Sequence, residues 1–411
     1  MKRGLGPTQL YLLISFGMAF AFSLMSFISG IYRVQTAQLD PFQLLLLGTA
    51  LEGSTFLFEV PTGIVADLYS RRLSVIIGYF VIGLGFLLEG LFPTFIVIFL
   101  AQAVWGLGYT FISGAQDAWL ADEIGEEKLT SVYVQAGQYG RIGGILGLIA
   151  SAGIGLLNLA LPIVISGGLF MALALFLVLV MPETGFTPTE ASERNTFHKM
   201  RDTFTNGLGH VRRRPSLRLI MWIGLFFGLY AEGADRLTEA HILDGYTFPF
   251  SWDPVVWFFL MSIAISIVGY LVNEIIRRRI DVDDLRRSLT LQFTVNALLM
   301  GAITLFALAP GFAFVYSSAV IMHVLRGTSR PYYHAWLNSQ LKDSTTRATI
   351  LSMNGQVDAI GQLVGGLVIG AMGRLVSLPA GLLTMLIFLG PAVWLFSVAR
   401  RQNHQLQEAA A

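Results

Sequence analysis

Glu232, Asp235, Arg236 and Glu239 lie close together in an otherwise apolar stretch, "GLYAEGADRLTEAHIL". At helical spacing the four side chains project within an arc of about 100°. Glu232 and Arg236 stand four residues apart and can neutralise each other. Asp235 and Glu239 then exceed the local base. Carboxylates held in such surroundings have raised pKa values and bind protons. Glu52 and Asp358 are further acids inside apolar runs. Glu232, Asp235, Glu239, Glu52 and Asp358 are therefore the candidates for proton binding, with charge pairing between helices as the plainer alternative. The opposite sign gathers at His323, Arg326, Arg330 and His334, within an arc of about 80°. That stripe suits an anionic group, or the acids just named. Tyr230, Tyr109, Trp105 and Trp336 are flat side chains near these charges that could stack on a ligand.

The elements that position these groups follow from composition. The chain has 411 residues, 54% hydrophobic and only 13% charged. A soluble domain carries about 25% charged residues, so the sequence describes a multi-pass membrane protein. A helix crosses the hydrocarbon with about 20 apolar residues. Apolar runs of that order lie near 9–32, 42–66, 73–91, 94–120, 132–157 and 159–181, and again near 219–242, 255–276, 288–308, 312–336, 349–373 and 380–399. The expectation is an all-α membrane protein of twelve transmembrane helices. Its N-terminal six-helix half covers 1–181, a cytoplasmic linker 182–217, and a C-terminal six-helix half 218–411. In the linker, Phe197, Met200, Phe204 and Leu208 recur at amphipathic spacing beside bases, as in a helix lying on the inner leaflet. The first apolar run has no small-residue cleavage site and is expected to stay with the chain. With alternating spans and the N-terminus inside, 21 of the 27 Lys and Arg fall in cytoplasmic segments, which predicts both termini in the cytoplasm.

Several classes are excluded. Without cysteine there are no disulfides or thiolate metal sites. The six histidines lack metal-ligand spacing, and no nucleophile–base pair or nucleotide motif appears. No enzyme, metal or cofactor is expected. A net charge of +1 argues against a nucleic-acid partner.

The halves repeat. "AWLADEIGEEKLTSVYVQAGQYGRIGGILG" from Ala118 matches "AWLNSQLKDSTTRATILSMNGQVDAIGQLVG" from Ala335, pairing Gly143 with Gly361 and Gly147 with Gly365. This predicts two pseudo-symmetric halves running in the same direction through the membrane. "EVPTGIVADLYSRR", at residues 59–72, places Gly63, Asp67, Arg71 and Arg72 in the turn after the second span. That spacing resembles the signature loop of the major facilitator superfamily, with Leu68 where the pattern often has Arg and Ser70 where it often has Gly. The resemblance implies a cytoplasmic gate in which Asp67 meets a helix N-terminus, the loop arginine pairs with Asp122 at the end of the fourth span, and Gly63 permits close backbone contact. It covers the whole chain. "EVPTGIVADLYSRRLSV", "GYTFISGAQDAWLADEIGEE" and "EGADRLTEAHIL" look like the tetracycline- and macrolide-resistance-like branch of drug–proton antiporters. Two of that branch's signatures depart here: Gln102 precedes Gly106 and Gly108 where Arg is usual, and Arg141 lies between Gly140 and Gly143 where Pro is usual.

What the resemblance implies is proton-coupled efflux of amphipathic or hydrophobic small molecules, tetracycline-like drugs included, by alternating access in the plasma membrane. The partners would be a small-molecule substrate, protons and the lipid bilayer, and the protein would act as a monomer. The alternatives are an exchanger or flippase for an anionic or lipid-like solute, favoured by the basic stripe, and a membrane sensor that transports nothing.

Overall fold

The structure is a computed structural model of the chain, described over residues 5–187, 209, 211–212, 214–281, 284–341 and 344–410. The amphipathic stretch through Phe197, Met200, Phe204 and Leu208 lies outside those residues. Thirteen α-helices run through the described residues: α1 (Pro7–Gln35), α2 (Pro41–Leu68), α3 (Arg71–Leu91), α4 (Phe95–Ile112), α5 (Ala115–Ile124), α6 (Glu126–Gly155), α7 (Leu161–Val180), α8 (Pro215–Gly245), α9 (Pro254–Arg279), α10 (Leu285–Ala307), α11 (Phe312–Ser339), α12 (Ser344–Leu375) and α13 (Leu378–Ala410). A 3₁₀ turn, Pro249–Ser251, precedes α9.

Counting α4 and α5 as one broken segment, twelve helical segments have membrane length, and ten are also apolar enough to cross a bilayer. The two that fall short are α6 and α11. Both are long enough, at 30 and 28 residues. Their composition is the reason: α6 carries Gln135, Gln138 and Arg141 on top of an acidic first turn, and α11 carries His323, Arg326, Arg330 and His334.

The helices group into two compact units. One is Met1–Leu39 with Leu47–Thr196, the other Asp40–Leu46 with Phe197–Ala411. Lipid tails are as apolar as leucine, so helices here associate through close packing and not through escape from water. Within the first unit α1 lies along α6. A methyl group on Gly143 or Gly147 would collide with the carbonyls of Phe16 and Phe20. Ser151 and Ser166 close the same neighbourhood, donating to Leu24 O and Ala21 O, each at 2.6 Å. Within the second unit α8 lies along α12, and Gly361 and Gly365 meet the carbonyls of Leu225 and Leu229 in the same manner. The glycines paired by the sequence repeat thus make matching contacts, each pair inside its own unit.

The break between α4 and α5 sits at Ser113–Gly114. Gly114 has φ +74 and ψ −37, a conformation that L side chains rarely adopt, and nothing lies within 4 Å of where its Cβ would be. The need for glycine is therefore conformational and not steric. Gly114→Ala is expected to lower stability by about 1–3 kcal/mol. Gly17→Ala, in α1 with ordinary φ and equal space, is expected to be neutral or slightly stabilising. Thermal unfolding of the purified variants checks the contrast, and equal melting temperatures would refute it.

Candidate functional site

In the second unit α8, α11 and α12 enclose a cavity of about 420 Å³. The α8 stripe divides into two layers. Glu232 is buried and accepts from Arg236 Nε at 3.1 Å, closing the charge within one helix. Asp235, on the cavity side, reaches across to α11. Its two oxygens lie 2.7 and 2.9 Å from Nη1 and Nη2 of Arg326, the bidentate fork that only arginine offers a carboxylate. The aspartate side chain remains 49% accessible, against 14% for the arginine. The guanidinium also lies 5.8 Å from the ring centre of Tyr230. His323 approaches Thr238 Oγ1 at 3.4 Å. Arg330, His334 and Asp358 line the cavity too. Asp358 accepts from Gln362 Nε2 at 2.8 Å, and Tyr333 Oη lies 2.9 Å from Ile220 O and 2.7 Å from Asn354 Oδ1.

Three expectations need correction at this point. Asp235 is not an acid in excess of base, because Arg326 neutralises it from a helix that sequence spacing on α8 could not reveal. Glu239 does not line the cavity. Trp336 does not line the cavity. It is 4% accessible and packs 6.5 Å from Tyr333 and 5.9 Å from Phe396, in the core with Leu217 and Ile220. It stands roughly 80° round the helix from Arg326, which turns it from the cavity to the α8–α13 seam.

The first unit has its own cavity, of about 780 Å³. Glu52, Trp105 and Tyr109 line it, with Met18, Phe22 and Phe170. Phe22 and Trp105 stand 5.7 Å apart, centre to centre. At the α4–α5 break the Tyr11 hydroxyl donates to Asp117 Oδ1 at 2.7 Å, and Tyr79 donates to Gln116 Oε1 at 2.5 Å. Asp117 and Tyr11 were not among the candidates. The available signal was an acid three residues after a glycine inside a span.

A buried charge cluster in the same unit was also missed. Glu89 is fully buried on α3, accepts from Arg33 Nε at 2.8 Å and from Gln102 Nε2 at 2.7 Å. Tyr32 donates to the backbone carbonyl of Glu89 at 2.7 Å. Gln102 holds the position where the drug-antiporter signature has Arg. In this chain α1 supplies the cation instead.

The loop between α2 and α3 is tied down inside the first unit. Arg71 Nη1 lies 2.5 Å from Asp122 Oδ2 and 3.0 Å from Ala118 O, and its other amino group 3.9 Å from Asp67. Glu183, just past α7, accepts from Ser70 Oγ at 2.7 Å and from the Arg72 amide at 2.9 Å. Gly63 departs from expectation: no atom among the described residues lies within 4 Å of a Cβ there, so close backbone approach does not explain it.

Residues 10–356 match the family model of the Major Facilitator Superfamily. The chain belongs to that family. A major facilitator relative from Bacillus subtilis (strain 168), the uncharacterized MFS-type transporter YxaM, is 21% identical over 360 residues, covering 87% of this chain and 88% of that protein. Among solved structures, the nucleoside transporter NupG aligns over 96% of this chain and 98% of its own, with TM-score 0.75 and 15% identity. A POT family transporter in complex with 5-aminolevulinic acid aligns over 95% of each chain, with TM-score 0.70 and 12% identity. At such identities these likenesses establish the fold alone. As a major facilitator protein the chain is a multi-pass membrane transporter.

Proposed function

We propose that this transporter is a proton-coupled exporter of amphipathic organic solutes, working by alternating access in the plasma membrane with both termini in the cytoplasm. The observation that carries the reading is the Asp235–Arg326 fork in the second unit's cavity. The carboxylate is half accessible, so water can bring it a proton. Arginine keeps its charge at every working pH. Protonation of Asp235 therefore removes the partner and leaves a bare cation, changing the local charge by a full unit. Two arrangements of α8 and α11 then differ in proton affinity, as coupling requires. Tetracycline-like compounds are candidate solutes, supported by the apolar and aromatic lining of the first unit's cavity. Each chain holds both cavities, so a monomer suffices.

A second reading, exchange of an anionic solute, is favoured by Arg330. It lines the second unit's cavity and makes no ion pair within 4 Å among the described residues. One measurement separates the two: flux of neutral, cationic and anionic amphiphiles into proteoliposomes, with and without a pH gradient. Flux indifferent to the gradient ends the coupling claim. Flux confined to anions selects the second reading.

The α2–α3 loop acts as the cytoplasmic latch, through the Arg71–Asp122 pair. Asp122→Asn is expected to leave equilibrium solute binding intact while slowing turnover about tenfold, the worth of one charge-assisted hydrogen bond. A matching loss of affinity would show a binding role instead.

A further inference from the structure

We propose that the second unit's cavity binds a small zwitterion, with Arg330 holding its carboxylate, Asp358 its ammonium group, and Phe227 and Leu351 flanking an apolar body. The inference rests on the solute-transport reading above and names the charge pattern of the solute. The cavity's volume, about 420 Å³, falls in the range of small-molecule sites, ~300–1,000 Å³. Asp235, Arg326, Arg330 and Asp358 all line it, and their formal charges sum to zero. Asp235 and Arg326 are closed on each other by the fork. Arg330, on α11, and Asp358, on α12, are held differently. Neither makes an ion pair within 4.0 Å among the described residues, and the hydrogen bond that Asp358 accepts comes from the neutral Gln362.

Two opposite charges that line one cavity without touching each depend on water there. A charge withdrawn from bulk water is costly unless it is paired. A solute with the complementary pattern satisfies both at once. A simple anion gains Arg330 but also meets Asp358, and a simple cation meets the reverse. Such a like-charge penalty is what turns affinity into specificity, so the balanced lining favours a neutral solute with two poles over either ion. Room for it lies beside both charges. Gly327 stands three residues before Arg330, and Gly355 three before Asp358, so each glycine shares a helix face with its charge. Both glycines line the cavity, and a Cβ at either would meet no atom within 4 Å. His334, four residues beyond Arg330 and also in the lining, offers the carboxylate a second donor. Phe227 is held edge-on by Tyr230 and Tyr333, at 5.9 and 5.3 Å between ring centres, which gives the apolar body a fixed wall.

The test uses the purified full-length protein in nanodiscs without any gradient. The probes share one aromatic body: phenylalanine, the zwitterion; phenethylamine, the cation without the carboxylate; and hydrocinnamate, the anion without the amine. Equilibrium dialysis measures each. Wild type is expected to bind phenylalanine at least tenfold more tightly than either ion, the worth of one charge-assisted contact. Arg330→Gln should bring phenylalanine down to the level of phenethylamine without weakening phenethylamine. Asp358→Asn should bring it down to the level of hydrocinnamate without weakening hydrocinnamate. Either ion binding to wild type as tightly as phenylalanine, or full preference kept by both variants, would overturn the proposal. Should the variants fail to fold, Gly355→Cys in this cysteine-free chain provides a second readout. Phenylalanine should slow thiol labelling at 355 more than either ion at equal concentration; identical labelling rates would also overturn it. Phenylalanine preference with flux indifferent to a pH gradient would remove proton coupling and keep this site. Gradient-driven flux of other amphiphiles, with no preference among the three probes, would do the reverse.

Discussion

Asp235→Asn is expected to cut pH-gradient-driven flux at least a hundredfold, equivalent to about 2.7 kcal/mol, while solute counterflow continues. Counterflow moves no net proton, so it needs the cavity but not the titration. Asparagine keeps the shape and one hydrogen bond to Arg326 yet has no ionised state to alternate with. The structural cost is modest, because Asp235 is half accessible and water in the cavity can solvate the released guanidinium. Glu232→Gln supplies the contrast. Its ion pair with Arg236 is buried at 5% and 11% accessibility, so the main result there should be a lower melting temperature. Normal gradient-driven flux in Asp235→Asn would place the proton on another residue.

The largest stability effect is expected at Glu89. Glu89→Ala leaves Arg33, 7% accessible, without its carboxylate in a site that water hardly reaches. Breaking a buried pair by removing one partner costs about 3–5 kcal/mol. Gln102 loses its acceptor at the same time. Tyr32 does not, since it donates to the backbone carbonyl of residue 89. Replacing both charges, as Arg33→Met with Glu89→Leu, should recover much of the loss, because apolar side chains of similar volume avoid the desolvation penalty. Thermal unfolding and the monodisperse yield of the three proteins report the outcome. A double variant as unstable as the single one would mean that the pair does more than satisfy itself.

The sequence made legible whatever obeys a local period. The α8 and α11 stripes appear as charges at helical spacing, and the Glu232–Arg236 pair is one turn of helix. The repeat pairs Gly143 with Gly361 and Gly147 with Gly365, and the structure adds the matching close contacts, since a close seam admits few residue types. What stayed hidden depends on distance along the chain. Asp235 and Arg326 are 91 residues apart, and nothing in either stripe names the other. In the sequence Glu89 is one acid in an apolar run and Arg33 stands at the end of the first such run. Only the α1–α3 packing joins them. Trp336 shares its helix with the basic stripe, but the angle to Arg326 decides its neighbours. Asp117 depends on a helix break, which gathers two short helices' side chains around one cavity in a way that a continuous period cannot express.

α6 and α11, the two helices too polar to cross by composition alone, carry a consequence for biogenesis. Insertion during synthesis is a partition between translocon and lipid, in which each charged residue near mid-span costs about 2.5–3.5 kcal/mol. A nascent α11 bearing Arg326 and Arg330 meets that barrier twice. Chain order supplies companions. α1 is made well before α6, so Gly143 and Gly147 find their surface waiting. α9 and α10, against which α11 packs, also precede it. On α10, Gln292 donates to Ser329 O at 2.8 Å and Asn296 to Ser329 Oγ at 3.0 Å. On α8, Asp235 already offers a counter-charge to Arg326. The carboxylate proposed to couple flux would thus also be an assembly partner for α11, a helix made later, and the membrane yield of Asp235 variants reads that second duty directly.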